Sequence, residues 1–279
     1  MYYCIFALIM REFKSIDVKR LIESKNPKLA KLLPRFVINY LKKILHQDEI
    51  NLFLETNREK HNVDFCEALV EYLGIHVQIS GIDQIPKSGP VIIVLNHPLG
   101  GMDAMSFVTA LRTQRQDLKF IVNDLLMNLT NIRDLFVGIN KHGKNESSTR
   151  QKIHDAFESD EALCIFPAGL VSRKQHGLIQ DLEWKKTFVS YARKFNQSII
   201  PVHIDGGLSS FFYRLSNFRR FIGIKTNIEM LYLADEMYKQ KGKTMKIIFG
   251  KPIPASTFNS SKSDAEWANW TKEQVYKMK

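Results

Sequence analysis

Val91-Ile92-Ile93-Val94-Leu95-Asn96-His97-Pro98-Leu99-Gly100-Gly101-Met102-Asp103 is the stretch on which the fold turns. Gly89 and Pro90 close a turn ahead of it. Five apolar residues follow, four of them β-branched, the composition of a strand buried on both faces in a parallel sheet. Met105, Phe107-Val108 and Leu111 then recur at helical spacing. A histidine and an aspartate therefore stand on the turn between a buried strand and a helix. In open α/β sheets, ligands bind outside the carboxyl ends of the strands.

The same alternation extends along the chain. Strands are expected at residues 75–79, 118–122, 136–139, 162–166, 198–204, 227–233 and 245–249, and helices at 147–158, 182–195 and 266–278. Pro201 places the 198–204 strand at a sheet edge or strand end. This is an α/β fold with a largely parallel mixed sheet flanked by helices. Ahead of it, residues 17–73 read as helices. Leu29, Leu32-Leu33, Phe36-Val37, Tyr40-Leu41 and Ile44-Leu45 recur at intervals of three and four, with a break expected near Arg35 because of Pro34. Gly74 ends the last of them and divides the chain into an N-terminal helical region, 1–74, and an α/β domain, 75–279. Lys25, Lys28, Lys31, Arg35, Lys42 and Lys43 line the polar side of the helical region, a pattern shared by membrane-surface helices and by ordinary solvated faces.

The 279 residues carry 40 Lys+Arg against 29 Asp+Glu, a net charge of +11. Such an excess calls for an anionic partner: a phospholipid surface, an acidic carrier protein or nucleic acid. Recognition helices and aromatic RNA-binding motifs are not evident, so nucleic acid is not expected. Cys4, Cys66 and Cys164 lie far apart and form neither a disulfide framework nor a zinc site. No stretch reaches the roughly 18 apolar residues that span a bilayer. Residues 1–10 are apolar without a basic leader or cleavage site. They are expected to be a membrane-touching tail or an upstream extension of a chain that starts at Met10.

Four stretches can carry chemistry. His97 can accept a proton, and Asp103 can fix its tautomer, with Gly100 and Gly101 permitting a tight turn. The pair taken alone equally describes a capping aspartate beside a satisfied histidine. No serine or cysteine stands in this turn, which favours activation of a substrate hydroxyl over an acyl-enzyme. Ile165-Phe166-Pro167-Ala168-Gly169-Leu170-Val171-Ser172-Arg173-Lys174 is a strand end followed by a turn and two cations, an anion cradle or an ordinary β-turn. Phe136-Val137-Gly138-Ile139-Asn140-Lys141 delivers a lysine from a strand end. Ile200-Pro201-Val202-His203 closes the set, with His203 read as a satisfied strand-end histidine.

In order and spacing, the four stretches together resemble the glycerolipid (lysophospholipid) acyltransferase family. Its motifs are Asn-His-x4-Asp, a Gly-x-Ile-x-Arg type, Phe-Pro-Glu-Gly-x-x-Ser and an apolar-Pro-Val strand, and the resemblance covers roughly residues 75–250. It implies an acyltransferase domain in which His97 is the general base and Asp103 orients it. An acceptor hydroxyl would then attack an acyl thioester, acyl-CoA or acyl-ACP. Gly138, Lys141, Gly169, Ser172 and Arg173 would bind the acceptor's head group, with Asn96, Gly100, Gly101, Phe166 and Pro167 as further substrate-binding positions. The resemblance implies no metal and no bound cofactor, and a peripheral place on the cytoplasmic face of the membrane.

The sequence departs from the family pattern at four places. Five residues, rather than four, separate His97 from Asp103. Ala168 replaces the usual Glu, Val171 stands where Arg is common, and Asn140-Lys141 replaces the tail of the second motif. The form His-Pro-Leu-Gly-Gly-x-Asp with Phe-Pro-Ala-Gly resembles the hemolysin-type branch, associated with amino-acid lipids such as ornithine or glycine lipids. The expected acceptor is lysophosphatidic acid or a mono-acylated amino acid. The alternatives are a hydrolase built on His97, Asp103, His203 and Asp205, and a non-catalytic basic lipid-binding protein. Trp184, Phe211-Phe212 and Phe218 beside clustered cations suit an interface, and each taken singly equally suits a core aromatic beside a solvated charged face.

Overall fold

The computed structural model describes residues 16–139, 146–175 and 177–279. The opening residues 1–15, with Met10, lie outside that range, as do Asn140 and Lys141. The chain begins with helices α1 (Val18–Lys25), α2 (Pro27–Leu32), α3 (Arg35–Ile44), α4 (Gln47–Thr56) and α5 (Asn62–Tyr72). Asp17 caps α1 by accepting from the Lys19 and Arg20 N–H groups. Pro34 forces the expected break: α2 ends at Leu32, and α3 starts at Arg35 with Pro34 as an extended N-cap. Gly74 ends α5 in the left-handed region, at φ 58°.

The remaining elements are β1 (His76–Ser80), β2 (Val91–Leu95), α6 (Gly101–Ala110), β3 (Leu118–Asn123), β4 (Phe136–Ile139), α7 (Glu146–Glu158), β5 (Ala162–Ile165), β6 (Arg173–Gln175), β7 (Leu178–Gln180), α8 (Thr187–Phe195), β8 (Ile199–Ile204), α9 (Ser210–Phe221), α10 (Leu233–Tyr238), β9 (Thr244–Phe249) and α11 (Asp264–Lys277). Seven strands form one sheet in the order β1-β9-β8-β2-β5-β3-β4, and β6 pairs with β7 in a separate hairpin. Strands β8, β2, β5, β3 and β4 run parallel. β9 is antiparallel to β8, and β1 is parallel to β9. The sheet is thus mixed and largely parallel, as the sequence pattern requires.

β2 lies at the centre, and all five of its residues are buried. Alternate side chains feed two cores. Ile93 and Leu95 meet Phe107 of α6 and Cys66 of α5 on one face. Ile92 and Val94 meet Phe188 of α8 and Val275 of α11 on the other. Because α5 packs directly on α6, one core runs across Gly74. A satellite cluster joins Val18, Leu21, Ile44 and Ile50 to Ala234 of α10.

Three expectations need correction. Residues 227–233 are not a strand: Ile228–Tyr232 is a 3-10 turn leading into α10. Glu229 inside it is fully buried, and a turn brings its carboxylate to two arginines. The 182–195 helix shrinks to Thr187–Phe195. Pro201 sits on an internal strand, not an edge. Its carbonyl, and so its missing N–H, faces away from β2 toward Gly250, just beyond the end of the β8–β9 ladder. The Gly250 N–H donates to that carbonyl at 2.8 Å, so the proline forgoes only the reciprocal bond at the end of the ladder.

Candidate active site

The parallel strands place the turns after β2, β5 and β8 along one sheet edge. Asn96 locks the first of these. Its side-chain amide donates to the Ile204 carbonyl at 2.8 Å, and its oxygen accepts from the Ile204 N–H at 2.6 Å. That double bond to the end of β8 commits a buried amide to fixing where β2 stops.

His97 follows. Its Nδ1 lies 2.9 Å from Asp103 Oδ2, and its ring stacks on Phe166 at 4.2 Å. Asp103 is fully buried in the first turn of α6. Its oxygens also accept from the Leu99 N–H at 2.9 Å and the Gly100 N–H at 3.0 Å. Burial raises the Asp103 carboxyl above its ordinary value, and the His97 bond and the Leu99 N–H offset this only in part. A carboxylate already accepting from two backbone N–H groups is an acceptor for the ring as well. The proton therefore belongs on Nδ1, and the Nε2 lone pair is left to receive another. The side chain of His97 remains 15% exposed.

Between His97 and Asp103 the chain turns sharply at Gly100, at φ 76° and ψ −132°. A side chain there would also press Val171 Cγ1 at 3.3 Å. Gly101 has no such demand: it opens α6, and a Cβ would meet nothing within 4 Å.

The turn after β5 carries Phe166, Pro167 and Gly169. Gly169, at φ 63°, donates its N–H back to the Phe166 carbonyl at 2.9 Å. Ala168 turns into the opposite core. Ser172 reaches the His97 turn: its N–H donates to the His97 carbonyl at 2.7 Å, and its Oγ donates to Asp181 Oδ1 at 2.6 Å. Arg173 is buried and paired with Glu229 at 3.0 Å, its guanidinium lying 5.3 Å over the Phe212 ring. Gly138 sits inside β4 on the edge strand, separated from β2 by β5 and β3. The structure thus gathers Asn96, His97, Gly100, Asp103, Phe166 and Ser172 at one place. Gly138 lies apart, and Lys141 is outside the described residues.

Some of this was not foreseen. Asp181, after β7, is buried and bonded to the His97 N–H, Ser172, Trp184 and α11. Nothing in its local pattern marks it. Trp184 and Phe212 are buried core residues rather than interface ones, whereas Phe211 and Phe218 are exposed. His203 is 2% exposed, and neither ring nitrogen has a hydrogen-bond partner, so it is not the satisfied histidine expected. Burial holds its pKa low. It faces a cavity of about 60 Å³ shared with Ser172, Asp205 and Tyr276. Among the described residues, the grouping that could hold a metal is His154, Asp155 and Glu158 on α7, which includes none of these groups.

A histidine bonded to a buried carboxylate at the edge of a parallel sheet can take a proton from a hydroxyl bound there. A model of the acyltransferase family matches residues 20–279. The chain belongs to that family and is an enzyme that transfers acyl groups. It is 48% identical to the lyso-glycine lipid O-acyltransferase of Bacteroides thetaiotaomicron, over 94% of this chain and 97% of that protein. It is 44% identical to the lyso-glycine lipid O-acyltransferase of Phocaeicola vulgatus, over 94% and 95%. The crystal structure of the 1-acyl-sn-glycerophosphate (LPA) acyltransferase PlsC of Thermotoga maritima aligns over 99% of this chain and 92% of its own. With 17% identity and a TM-score of 0.48, that likeness is too slight to bear on the site.

Proposed function

We propose that the chain O-acylates a lyso-glycine lipid with a fatty acyl group from a thioester, using His97 as general base. The observation that carries the mechanism is the 2.9 Å bond from His97 Nδ1 to the buried Asp103 carboxylate. His97 Nε2 takes the proton of the acceptor hydroxyl as its oxygen attacks the thioester carbonyl. The tetrahedral intermediate collapses, the carbon–sulfur bond breaks, and the thiolate receives the proton from the imidazolium. The products are an ester and a free thiol, and Asp103 stays ionised beside the imidazolium. Direct transfer also accords with the described cysteines. Cys66 and Cys164 are both buried, and burial pushes Cys66 up to about 12. Neither is placed or poised as an acyl carrier.

The acceptor is assigned from the two relatives named for lyso-glycine lipid. The commitment of Arg173 to Glu229 supports it, because that cation is the one a phosphate head group would call upon. The donor is a thioester of coenzyme A or of acyl carrier protein, and the two share the reacting carbonyl.

The enzyme works at an anionic membrane surface. No helix among the described residues is long and apolar enough to cross a bilayer. Instead, an exposed apolar stripe joins two parts of the chain. Leu32 and Phe36 lead to Tyr40, whose hydroxyl bonds the Tyr232 hydroxyl at 2.8 Å. The Tyr232 ring packs on Phe211, and Phe218, Phe221 and Ile222 continue along α9. Residues 27–45 and 210–225 contain no carboxylate, and Lys31, Arg35, Arg214, Arg220 and Lys225 lie exposed within them. Apolar side chains set among cations match an anionic lipid interface.

The test offers purified enzyme both donors and a panel of acceptors: lyso-glycine lipid, lyso-ornithine lipid and lysophosphatidic acid, read by lipid mass spectrometry. Wild type is expected to form a new ester on lyso-glycine lipid. His97→Ala is expected to stay folded and lose at least about 10²-fold in rate. Transfer at the wild-type rate by that variant would overturn the base assignment, and esterification of lysophosphatidic acid alone would overturn the acceptor.

A further inference from the structure

We propose that Asp181 is a positioning residue for His97, a second carboxylate that holds the catalytic turn through its backbone while Asp103 holds the imidazole. The inference rests on the reading of His97 as the base.

His97 is gripped at three points. Asp103 takes Nδ1. Asp181 Oδ1 accepts from the His97 N–H at 3.1 Å. The Ser172 N–H donates to the His97 carbonyl at 2.7 Å. Ser172 and Asp181 are themselves joined, since Ser172 Oγ donates to the same Oδ1 at 2.6 Å. One carboxylate oxygen thus binds the catalytic turn and the loop after β5 together. Both peptide groups flanking the base are tied to that loop and its hairpin.

Asp181 is fixed in turn. Trp184 Nε1 donates to Oδ2 at 2.9 Å. The Asp181 N–H donates to the Tyr276 hydroxyl at 2.7 Å, and Lys272 Nζ donates to the Asp181 carbonyl at 2.7 Å. Tyr276 and Lys272 both lie on α11, which packs on α8 and β8. A carboxylate that is 1% exposed and bonded at both oxygens does not move with solvent. The C-terminal helix therefore sets the position of a base more than 170 residues earlier in the chain. On this reading Ser172 acts on the base rather than on the acceptor's head group. A misplacement of about 1 Å at such a base costs about 10²-fold in rate.

Asp181 also carries charge close to the pair. Its field acts on Asp103 of α6, His203 of β8, and Lys272 and Tyr276 of α11.

The experiment measures kcat and KM for wild type, Asp181→Asn, Ser172→Ala and Trp184→Phe, with thermal unfolding of each. Asp181→Asn is expected to lower kcat by about tenfold or more and to leave KM for both substrates within about twofold. Trp184→Phe frees only Oδ2, so it is expected to lower kcat less. It carries the test if Asp181→Asn does not fold. Unchanged kcat in Asp181→Asn would overturn the proposal. So would a rise in KM with kcat intact, which marks a ligand contact, or a loss of rate fully matched by loss of folded protein. If Trp184→Phe is the variant read, unchanged kcat in the folded protein overturns the proposal. The base assignment stands or falls separately, on His97→Ala.

Discussion

Gly100 and Gly101 are neighbours with opposite demands. Gly100 holds φ 76° and ψ −132° against Val171, a backbone state almost closed to other residues. Gly101 is an ordinary first residue of α6. Gly100→Ala is expected to cost about 1–3 kcal/mol and to lower kcat, because the Gly100 N–H that holds Asp103 is displaced. Gly101→Ala is expected to stabilise by about 0.4–1 kcal/mol and leave the rate unchanged. Urea unfolding with a rate assay on each variant checks both, and equal effects at the two positions would contradict this account of the turn. At this scale the sequence was informative about His97 and Asp103, because both lie within one turn. It was silent on Asp181, which reaches His97 across 84 residues.

The element that local pattern misread most is the segment around Glu229. Ile228, Met230, Leu231 and Tyr232 have the composition of a strand, but the segment is a turn built around one buried charge. Glu229 accepts from Arg173 at 3.0 Å, Arg219 Nε at 2.6 Å and Ser216 at 3.3 Å. Burial pushes its carboxyl up, but the Arg219 bond and the neighbouring guanidinium groups overcome this and hold it below the usual carboxylate range. The knot ties α9 to the β6–β7 hairpin, elements that periodicity did not announce. Glu229→Gln leaves two buried guanidinium groups without their carboxylate, and an expected loss of about 3–5 kcal/mol follows. Because the folded pKa is depressed, this contribution is present above the unfolded pKa. It is lost as pH falls through the lower folded one. Urea midpoints at neutral and acidic pH should therefore converge between wild type and variant as pH drops; a constant gap would count against the ion pair.

Across the whole molecule, the apolar stripe from Leu32 through Tyr232 to Phe221 is assembled from helices roughly 180 residues apart. Phe221 is 87% exposed and Phe36 73%. Wild type is expected to sediment with vesicles containing phosphatidylglycerol, and less so with phosphatidylcholine alone or at high salt. Phe218→Glu combined with Phe221→Glu should abolish sedimentation while preserving turnover on detergent-dispersed acceptor. Undiminished sedimentation of the double variant would place the contact elsewhere.

What the sequence by itself determined is local and periodic. The buried strand β2, the helical spacing of α3 and α6, the breaks at Pro34 and Gly74, and the juxtaposition of His97 with Asp103 all follow from side-chain period and backbone sterics within a few residues. Tertiary structure alone decided the rest. Pro201 is tolerated on an internal strand because its missing N–H falls at the end of the β8–β9 ladder, beside the Gly250 N–H that bonds its carbonyl. Residues 228–232 became a turn because burying Glu229 required two arginines from other elements. His97 acquired its second carboxylate because α11 and the β6–β7 hairpin meet behind it. Buried charge and unpaired backbone groups must find partners wherever the fold supplies them, and that demand has no period along the chain.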